Sequence, residues 1–280
     1  MKKIIAALLS LTLVFALVGC GGSNDNADNS SKTEKKTITV GASSTPHAEI
    51  LEQVKDDLAA EGYTLNIRVF DDYILPNTAT EDGEIDANYF QHTPYLNDFN
   101  QNNGTHLVSV VAVHYEPFGT YAGKVKSIAA LTDGSNDGAK IAVPNDDTNE
   151  ARALQLLAAQ GLIKLKDGVG LSATKLDIVE NPHKFDIVEM QAALLPGVLD
   201  DVAVAVINGN YAISGGLKAS DAIAIEDSKS EAAKTYANIL VVKDGNQNSE
   251  AIQALAKALT SEKVKKFIEK TYDNAVVAMF

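Results

Sequence analysis

The chain has 280 residues, of which 37 are acidic and 24 are lysine or arginine, giving a formal net charge of −13 at pH 7. This acidic balance argues against binding of nucleic acid, and against binding of anionic lipid head groups through the folded body. A single cysteine excludes an intramolecular disulfide.

The N-terminal residues have the features of a secretion signal. Met1–Lys3 is basic, and Ile4–Val18 is apolar except for two residues, which is too short for a comfortable membrane span. The segment ends in Leu17–Cys20 (LVGC), which resembles a bacterial lipobox, where the cysteine becomes the lipidated first residue of the mature chain. We therefore predict a signal peptide over residues 1–19 and lipidation of Cys20. A plain signal peptide with an incidental cysteine is the alternative.

The stretch after Cys20, GGSNDNADNSSKTEKK, contains only small, polar and charged residues. Such a segment buries too little apolar surface to fold, so residues 20–36 are predicted to form a lipidated, flexible tether. The folded part then begins near Thr37 and extends to residue 280, which is enough chain for one large domain or two medium ones.

Strand and helix patterns alternate along the first part of the folded chain. Strands are predicted at Thr37–Ser43, Thr64–Phe70, Ile85–Phe90 and His106–His114. A helix is predicted over Pro46–Leu58, where apolar residues recur on one face, and it ends before Gly62. Strands that alternate with helices predict an α/β fold with a largely parallel sheet.

The same alternation begins again after residue 138. Strands are predicted at Ala139–Pro144, Leu176–Glu180, Ile187–Met190, Val202–Ile207 and Ala237–Lys243. Helices are predicted from about Thr148 to Gln160, over Ala192–Leu199 and over Glu250–Thr271. Two α/β units in succession predict two lobes, joined by strands that act as hinges, with a ligand cleft between them.

Arg152 falls near the start of the helix predicted from about residue 148, where the backbone already carries partial positive charge. An anion bound between the two would explain a cation at this place, because guanidinium groups and helix N-termini both donate hydrogen bonds to anions. Asp147 and Glu150 are spaced like a helix cap and its partner in the first turn. The alternative is a solvated surface arginine.

Histidines raise metal binding as a rival function. His92 and His114 could bind a metal, but the other three histidines show no ligand spacing with them, and the chain has no acidic, His-rich loop. Asn145–Glu150 is rich in oxygen atoms but lacks the glycine and the distant glutamate of a calcium loop. No nucleophile-elbow, phosphate-loop or His-Glu-x-x-His motif is present, so we expect neither a metal, a cofactor nor an enzyme.

Six stretches together resemble the MetQ/NlpA family of lipoproteins, the substrate-binding components of methionine-type ABC importers. They are Phe90–Tyr95 (FQHTPY), Val113–Phe118 (VHYEPF), Val143–Leu154 (VPNDDTNEARAL), Gly161–Gly168 (GLIKLKDG), Ile178–Pro182 (IVENP) and Val206–Tyr211 (VINGNY). They keep the family's order behind a lipobox. The chain departs from the pattern at Asp147, where the family usually has proline. Phe118 stands where many members have methionine or another apolar residue, which leaves the ligand preference open.

The resemblance implies an α/β, two-lobed periplasmic-binding-protein fold of type II, with two hinge crossings and an amino acid in the cleft. Each lobe is expected to be a mainly parallel sheet flanked by helices. Residues 37–118 and about 240–280 would form the first lobe, and residues from about 119 to 239 the second.

The resemblance also implies nine ligand-binding residues. Arg152 would hold the ligand carboxylate, Asn208 would bind its carboxylate or ammonium group, and Asn238 would line the cleft. Aromatic side chains near strand ends of the first lobe would surround a thioether, since sulfur packs well against rings. They are Tyr73, Phe90, His92, Tyr95, His114 and Phe118. Tyr115 is expected to point away, because it neighbours His114 on a strand. A turn role for Asn208, before Gly209, is the alternative.

We therefore expect a monomeric, lipid-anchored protein on the outer side of the cytoplasmic membrane, in the periplasm or on the cell surface. It would capture methionine, in the L or D form, and deliver it to the permease of an ABC importer with its cytoplasmic ATPase. A methionyl dipeptide, a different amino acid or a metal ion are the alternative ligands, and membrane contact would be made through the lipid alone.

Overall fold

The computed structural model describes residues 36–228 and 231–280. The predicted signal peptide and the lipidation site at Cys20 lie outside these ranges. Within them, no helix combines the length and apolar character that crossing a membrane requires.

Strands and helices alternate along the described chain. The strands are β1 (Lys36–Ala42), β2 (Tyr63–Val69), β3 (Ala87–His92), β4 (Leu107–Tyr115), β5 (Gly119–Ala122), β6 (Lys140–Pro144), β7 (Lys164–Leu165), β8 (Ile178–Glu180), β9 (Asp186–Met190), β10 (Val204–Ile207), β11 (Ala222–Ile225), β12 (Asn238–Lys243) and β13 (Val277–Ala278). The α-helices are α1 (Glu49–Gln53), α2 (Lys55–Ala60), α3 (Leu75–Glu81), α4 (Thr93–Asn103), α5 (Ile128–Thr132), α6 (Asp147–Ala159), α7 (Gly209–Ser214), α8 (Glu231–Thr235), α9 (Glu250–Leu259) and α10 (Glu262–Tyr272). Short 3-10 turns cover Gly170–Ser172, Lys175–Asp177, Ala192–Val198 and Ala219–Asp221, and a wide π-type turn covers Ser44–Ala48.

Two large sheets form two lobes with the same internal order. The first sheet runs β13-β4-β12-β3-β1-β2, and the second runs β11-β5-β10-β6-β9. In the first, β1 pairs in parallel with β2 and β3; in the second, β6 pairs in parallel with β9 and β10. The carboxyl ends of these parallel strands meet at the cleft, which is where open α/β sheets place their ligands.

Four strands of each sheet run in one direction, as expected of mainly parallel sheets, but each sheet is mixed. β12 is antiparallel to β3 and β4, and β5 is antiparallel to β10 and β11. The chain enters β5 from the first lobe and enters β12 from the second lobe, so both strands start at the cleft and run against their parallel neighbours. The two crossings lie between β4 and β5 and between β11 and β12. These features confirm the two-lobed periplasmic-binding-protein fold of type II.

Each lobe has its own apolar core. In the first lobe, Val40, Leu240 and Leu255 are buried where the sheet meets α9. In the second lobe, Ile141 and Leu154 are buried where β6 meets α6. Because the two cores do not depend on a shared apolar layer, the polar side chains near the crossings are the groups that meet in the cleft.

Two predicted helices are interrupted. The helix expected over Pro46–Leu58 is a wide turn followed by α1 and α2, with a break at Val54, whose N–H donates to the carbonyl of Leu51 at 3.1 Å. The helix expected over Glu250–Thr271 is split into α9 and α10, because the hydroxyl of Ser261 accepts from the N–H of Val264 and starts a new helix.

Candidate functional site

A cavity lies between the lobes. It is lined by Tyr73, Phe90, Gln91, His92, Tyr95, Glu116, Asn149, Arg152, Asn208, Gly209, Asn210 and Asn238. The site thus combines rings, amides, one carboxylate and one guanidinium from both lobes.

Arg152 reaches the cavity from the first turns of α6. The cap of this helix is Asp146, whose side chain accepts from the N–H of Asn149 at 3.0 Å, so the predicted cap at Asp147 is wrong by one residue. Glu150 accepts from the N–H of Lys175 at 2.9 Å and does not complete a capping box. Asp146 therefore already supplies a carboxylate at this helix N-terminus, where we expected the ligand to bind the backbone.

The guanidinium of Arg152 is held by a carboxylate of the protein. Nε donates to Oε1 of Glu226 at 2.9 Å, and Nη2 donates to Oε2 of Glu226 at 2.5 Å and to the carbonyl of Glu116 at 2.9 Å. Its carbon centre lies 4.2 Å from the ring centroid of Tyr236 and 4.8 Å from that of Phe118. Burial would lower the pKa of Arg152, but the charge of Glu226 raises it, so the cation is secure.

Amide side chains of the second lobe form a network around Asn149. Its Oδ1 accepts from Nδ2 of Asn208 at 2.9 Å and from Nε2 of His92 at 3.2 Å, while its own Nδ2 donates to Asp146. Two buried amide atoms have no partner among the described residues, Oδ1 of Asn208 and Nδ2 of Asn210. Because leaving a buried polar group unpaired is costly, these two atoms mark where a ligand would accept and donate hydrogen bonds.

Rings from the first lobe form the opposite side of the cavity. The ring centroid of Tyr73 lies 5.7 Å from that of Phe90 and 5.8 Å from that of Tyr95. The Tyr73 hydroxyl donates across the cleft to Oδ1 of Asn210 at 2.6 Å, and the Tyr211 hydroxyl donates back to the carbonyl of Asp71 at 3.1 Å. The two lobes are therefore joined by hydrogen bonds at the cavity.

His92 connects a helix cap to the amide network. Its Nδ1 accepts from the N–H of Tyr95 at 3.2 Å, which starts α4 and assigns the ring proton to Nε2. Burial and, second, the charge of Arg152 lower the pKa of His92 to about 3, so the ring is neutral near pH 7.

Glu116 is the carboxylate of the cavity, and histidines hold it from behind. Nε2 of His114 lies 2.7 Å from Oε1 of Glu116, and Nδ1 of His114 is hydrogen-bonded to the hydroxyl of Tyr89. Nε2 of His47 donates to Oδ1 of Asn238 at 2.9 Å and lies 3.5 Å from Glu116. Burial raises the pKa of Glu116, which His47 partly offsets, and burial lowers the pKa of His47 to about 4 and of His114 to about 3.

His47, His114 and Glu116 also form a candidate metal site that differs from the one considered from the sequence. The ligating atoms of His47, His114 and Glu116 lie within 4.8 Å of one another, whereas the pair considered from sequence was His92 and His114. Two imidazole nitrogens and a carboxylate oxygen are a donor set that suits divalent transition metals. Each donor except Nδ1 of His47 already has a hydrogen-bond partner within the protein, so hydrogen bonding accounts for most of the cluster.

Seven of the nine residues predicted to bind ligand line the cavity, namely Arg152, Asn208, Asn238, Tyr73, Phe90, His92 and Tyr95. The other two do not. His114 is fully buried between Tyr89 and Glu116, and Phe118 is fully buried in the core of the second lobe beneath the guanidinium. The roles of the seven in binding remain predictions.

The cavity also contains residues that the sequence did not single out: Gln91, Glu116, Asn149, Gly209 and Asn210. A signal existed for Asn149, which precedes Arg152 by three positions and so shares its helix face. The structure also explains Gly209, because a Cβ there would lie 2.7 Å from Oε2 of Glu116. No local pattern pointed to Glu226, which pairs with an arginine 74 positions away.

Comparison with known proteins places the whole folded part in one group. The model of the NlpA lipoprotein family matches residues 38–280. The D-methionine-binding lipoprotein MetQ of Escherichia coli is 41% identical over 278 residues, covering 98% of this chain and 97% of that protein.

Solved structures give the same result. A lipoprotein from Ruminococcus gnavus is 57% identical, with a TM-score of 0.85, and the match covers 88% of this chain and 100% of that one. A nutrient-binding protein from Burkholderia cenocepacia, solved bound to methionine, is 43% identical, with a TM-score of 0.81, and the match covers 87% of this chain and 100% of that one.

Proposed function

This chain belongs to the NlpA lipoprotein family, and from that premise we propose that it is a solute-binding protein for methionine, in the L or D form, or for a close derivative. Relatives of similar length are named for methionine binding, and one structure of the same fold holds methionine. The role we propose is therefore binding rather than catalysis.

One observation carries this proposal: the same small cavity contains a guanidinium, a carboxylate and two amide atoms that have no hydrogen-bond partner among the described residues. Two of the five N–H groups of Arg152, those on Nη1, have no partner among the described residues and would donate to the ligand carboxylate. Nδ2 of Asn210 is a second donor for it. Oδ1 of Asn208 and the carboxylate of Glu116 would accept from the ligand ammonium.

The ring side of the cavity would accept the ligand side chain. Tyr73, Phe90 and Tyr95 supply apolar surface without a free charge, which suits an unbranched thioether better than a charged side chain. Asn238 lies at the start of β12, and because its Oδ1 accepts from His47, its amide nitrogen is the part left for a ligand.

Capture and delivery would follow from the two lobes. The first lobe would comprise residues 37–118 and about 240–280, and the second about 119–239. A ligand that touches both walls stabilises the closed form over the open one. The closed form would then dock on the permease of an ABC importer with its cytoplasmic ATPase. Lipid on Cys20 would hold the protein at the outer face of the cytoplasmic membrane.

A methionyl dipeptide is the second candidate, and a neighbouring cavity favours it. This second cavity shares Tyr73 and Tyr95 with the first. Asp72 and Asp146 also line it, so the end of a longer ligand that carries an ammonium group would find carboxylates there.

Thermal unfolding of residues 21–280 tests the proposal. The protein is first unfolded and refolded to remove ligand carried from the host, then heated with L-methionine, D-methionine, methionyl dipeptides, other amino acids or zinc. A ligand at about 100 times its dissociation constant stabilises the fold by about 2.7 kcal/mol. Stabilisation by methionine or its dipeptides alone supports the proposal, and a response to zinc or another amino acid alone contradicts it.

A further inference from the structure

Glu226 ties the two crossings together. It is the first residue after β11, and its N–H donates to the carbonyl of Phe118 at 2.9 Å. Its Oε2 accepts from the N–H of Phe118 at 2.9 Å and from the hydroxyl of Tyr115 at 2.6 Å. Phe118 and Tyr115 belong to the first crossing and its preceding strand. One side chain therefore joins both segments through which the lobes are connected.

The same carboxylate holds Arg152 by one edge. The Nε and Nη2 atoms of the guanidinium face Glu226 as a bidentate pair, and Nη2 also reaches the carbonyl of Glu116 in the first crossing. A planar guanidinium fixed along this edge has a fixed direction for its remaining N–H groups, which are both on Nη1. Glu226 is not among the residues that line the cavity, whereas Arg152 is.

The pair is buried and electrically balanced. The side chains of Arg152 and Glu226 are 5% and 11% exposed. Burial acts to raise the pKa of Glu226, but the charge and hydrogen bonds of Arg152 outweigh it and leave that pKa below its ordinary value. Glu226 is therefore ionised near pH 7. It compensates the buried charge of Arg152 and fixes the orientation of the guanidinium.

We propose that Glu226 is a positioning residue for ligand capture, which holds Arg152 so that Nη1 meets the ligand carboxylate and which links that contact to both crossings. The proposal rests on the amino-acid-binding function proposed above. The same contacts define a competing role, in which Glu226 occupies the guanidinium in place of the ligand carboxylate. The two roles predict opposite effects when the charge of Glu226 is removed.

The test compares methionine with methioninamide, which keeps the ammonium group and the thioether but lacks the carboxylate charge. Calorimetry on the mature chain gives the ratio of the two affinities for the wild type, E226Q and Y115F. Gln keeps the size of the side chain but places an amide N–H₂ where Arg152, Phe118 and Tyr115 all donate. Y115F removes one hydroxyl donor from Glu226 and leaves the pair with Arg152 intact, so it is the matched control.

If Glu226 positions Arg152, E226Q lowers the preference for methionine over methioninamide by about tenfold or more, because a charge-assisted hydrogen bond is misaligned. Y115F keeps the wild-type preference within about twofold. A loss of affinity that is equal for both compounds overturns the proposal, since a merely structural role weakens them alike. A stronger preference for methionine in E226Q also overturns it and assigns the competing role.

Two further arms keep the test decisive. If E226Q does not fold, E226D is measured, since it keeps the charge but withdraws the carboxylate by one methylene, and the same loss of preference is expected. An E226D protein with the wild-type preference then overturns the proposal. A wild-type chain that binds no methionine compound, including D-methionine and the methionyl dipeptides, refutes the proposed function itself, and the claim about Glu226 falls with it, whereas failure in the variants alone leaves the proposed function standing.

Discussion

The two sides of the cavity are built on different principles. The first-lobe wall (Tyr73, Phe90, Gln91, His92, Tyr95 and Asn238) consists mainly of rings that pack on one another. The second-lobe wall (Asn149, Arg152, Asn208, Gly209 and Asn210) consists of amides and a guanidinium held by hydrogen bonds. Packing fixes the shape of the first wall, and polar pairing fixes the direction of donors in the second. Loss of one polar group should therefore cost more affinity than loss of one ring.

Removal of the guanidinium is the strongest way to test this comparison. Arg152→Met should weaken methionine binding by about a hundredfold or more, because the ligand carboxylate loses its charged donor inside a buried site. It should also lower the free energy of unfolding by about 3 kcal/mol, since Glu226 is left buried without its partner. Calorimetry and urea denaturation measure the two effects.

A double variant separates binding from stability. In R152M/E226Q both charges are gone, so most of the lost free energy of unfolding should return while methionine binding stays weak. Arg152→Lys keeps the charge but has no planar fork, and it should bind methionine between the wild type and R152M. An R152M protein with an affinity within a few-fold of the wild type would show that the guanidinium does not hold the ligand.

The family resemblance implied five of the six residues of the first wall but only two of the five residues of the second. Apolar and alternating patterns located the strand ends near which the rings lie, but did not by themselves assign the rings to the cavity. The second wall depends on pairings between distant positions, such as Arg152 with Glu226, 74 residues apart, and His92 with Asn149, 57 residues apart. Such pairs have no spacing rule, so a polar residue like Glu226 looks like any surface acid until the chain is folded.

The fold shows the same limit. The periodic segments predicted eight of the eleven strands of the two sheets and missed β5, β11 and β13. They also did not show that β12 runs antiparallel to its neighbours, because strand direction depends on which lobe the chain arrives from. Helix interruptions were also missed at Val54 and Ser261. Both positions lie within continuous apolar periodicity, and a local hydrogen bond decides the break there.

Loss of a ring should have a moderate effect that sharpens the comparison. Phe90→Ala should weaken methionine binding by about tenfold, from lost contact with the side chain of the ligand, and should lower the free energy of unfolding by about 3 kcal/mol. Tyr73→Phe is the matched control: it keeps a ring and removes only the hydroxyl that donates to Asn210 across the cleft. Its affinity should fall by about fivefold, through a less stable closed form.

Calorimetry with methionine and alanine as ligands distinguishes the two causes. Phe90→Ala should reduce the preference for methionine over alanine, because the missing ring contacts only the longer side chain. Tyr73→Phe should reduce both affinities by the same factor. If Phe90→Ala weakened the binding of both ligands equally and Tyr73→Phe changed the preference, the first wall would not be the part of the site that contacts the ligand side chain.

The smallest expected effect concerns pH and lies where the two walls meet. The pKa of His92 is lowered to about 3 by burial and by Arg152, whereas an unfolded histidine has a pKa of about 6.5. Below a pH of about 6.5, His92 binds a proton in the unfolded chain but not in the folded chain, so the free energy of unfolding decreases as the pH falls. The slope is at most about 1.4 kcal/mol per pH unit for this group.

His92→Asn should remove this loss while keeping the start of α4, because asparagine caps helices well and can accept from the N–H of Tyr95. His47 and His114 have lowered pKa values as well, and Glu116 has a raised one, so wild type and variant share those contributions. The difference between their free energies of unfolding should therefore move in favour of the variant by about 1 kcal/mol per pH unit between about pH 5.5 and 4. Urea denaturation across this range measures it. Parallel curves for the two proteins would mean that His92 is protonated in the fold, and that its Nδ1 does not accept from Tyr95.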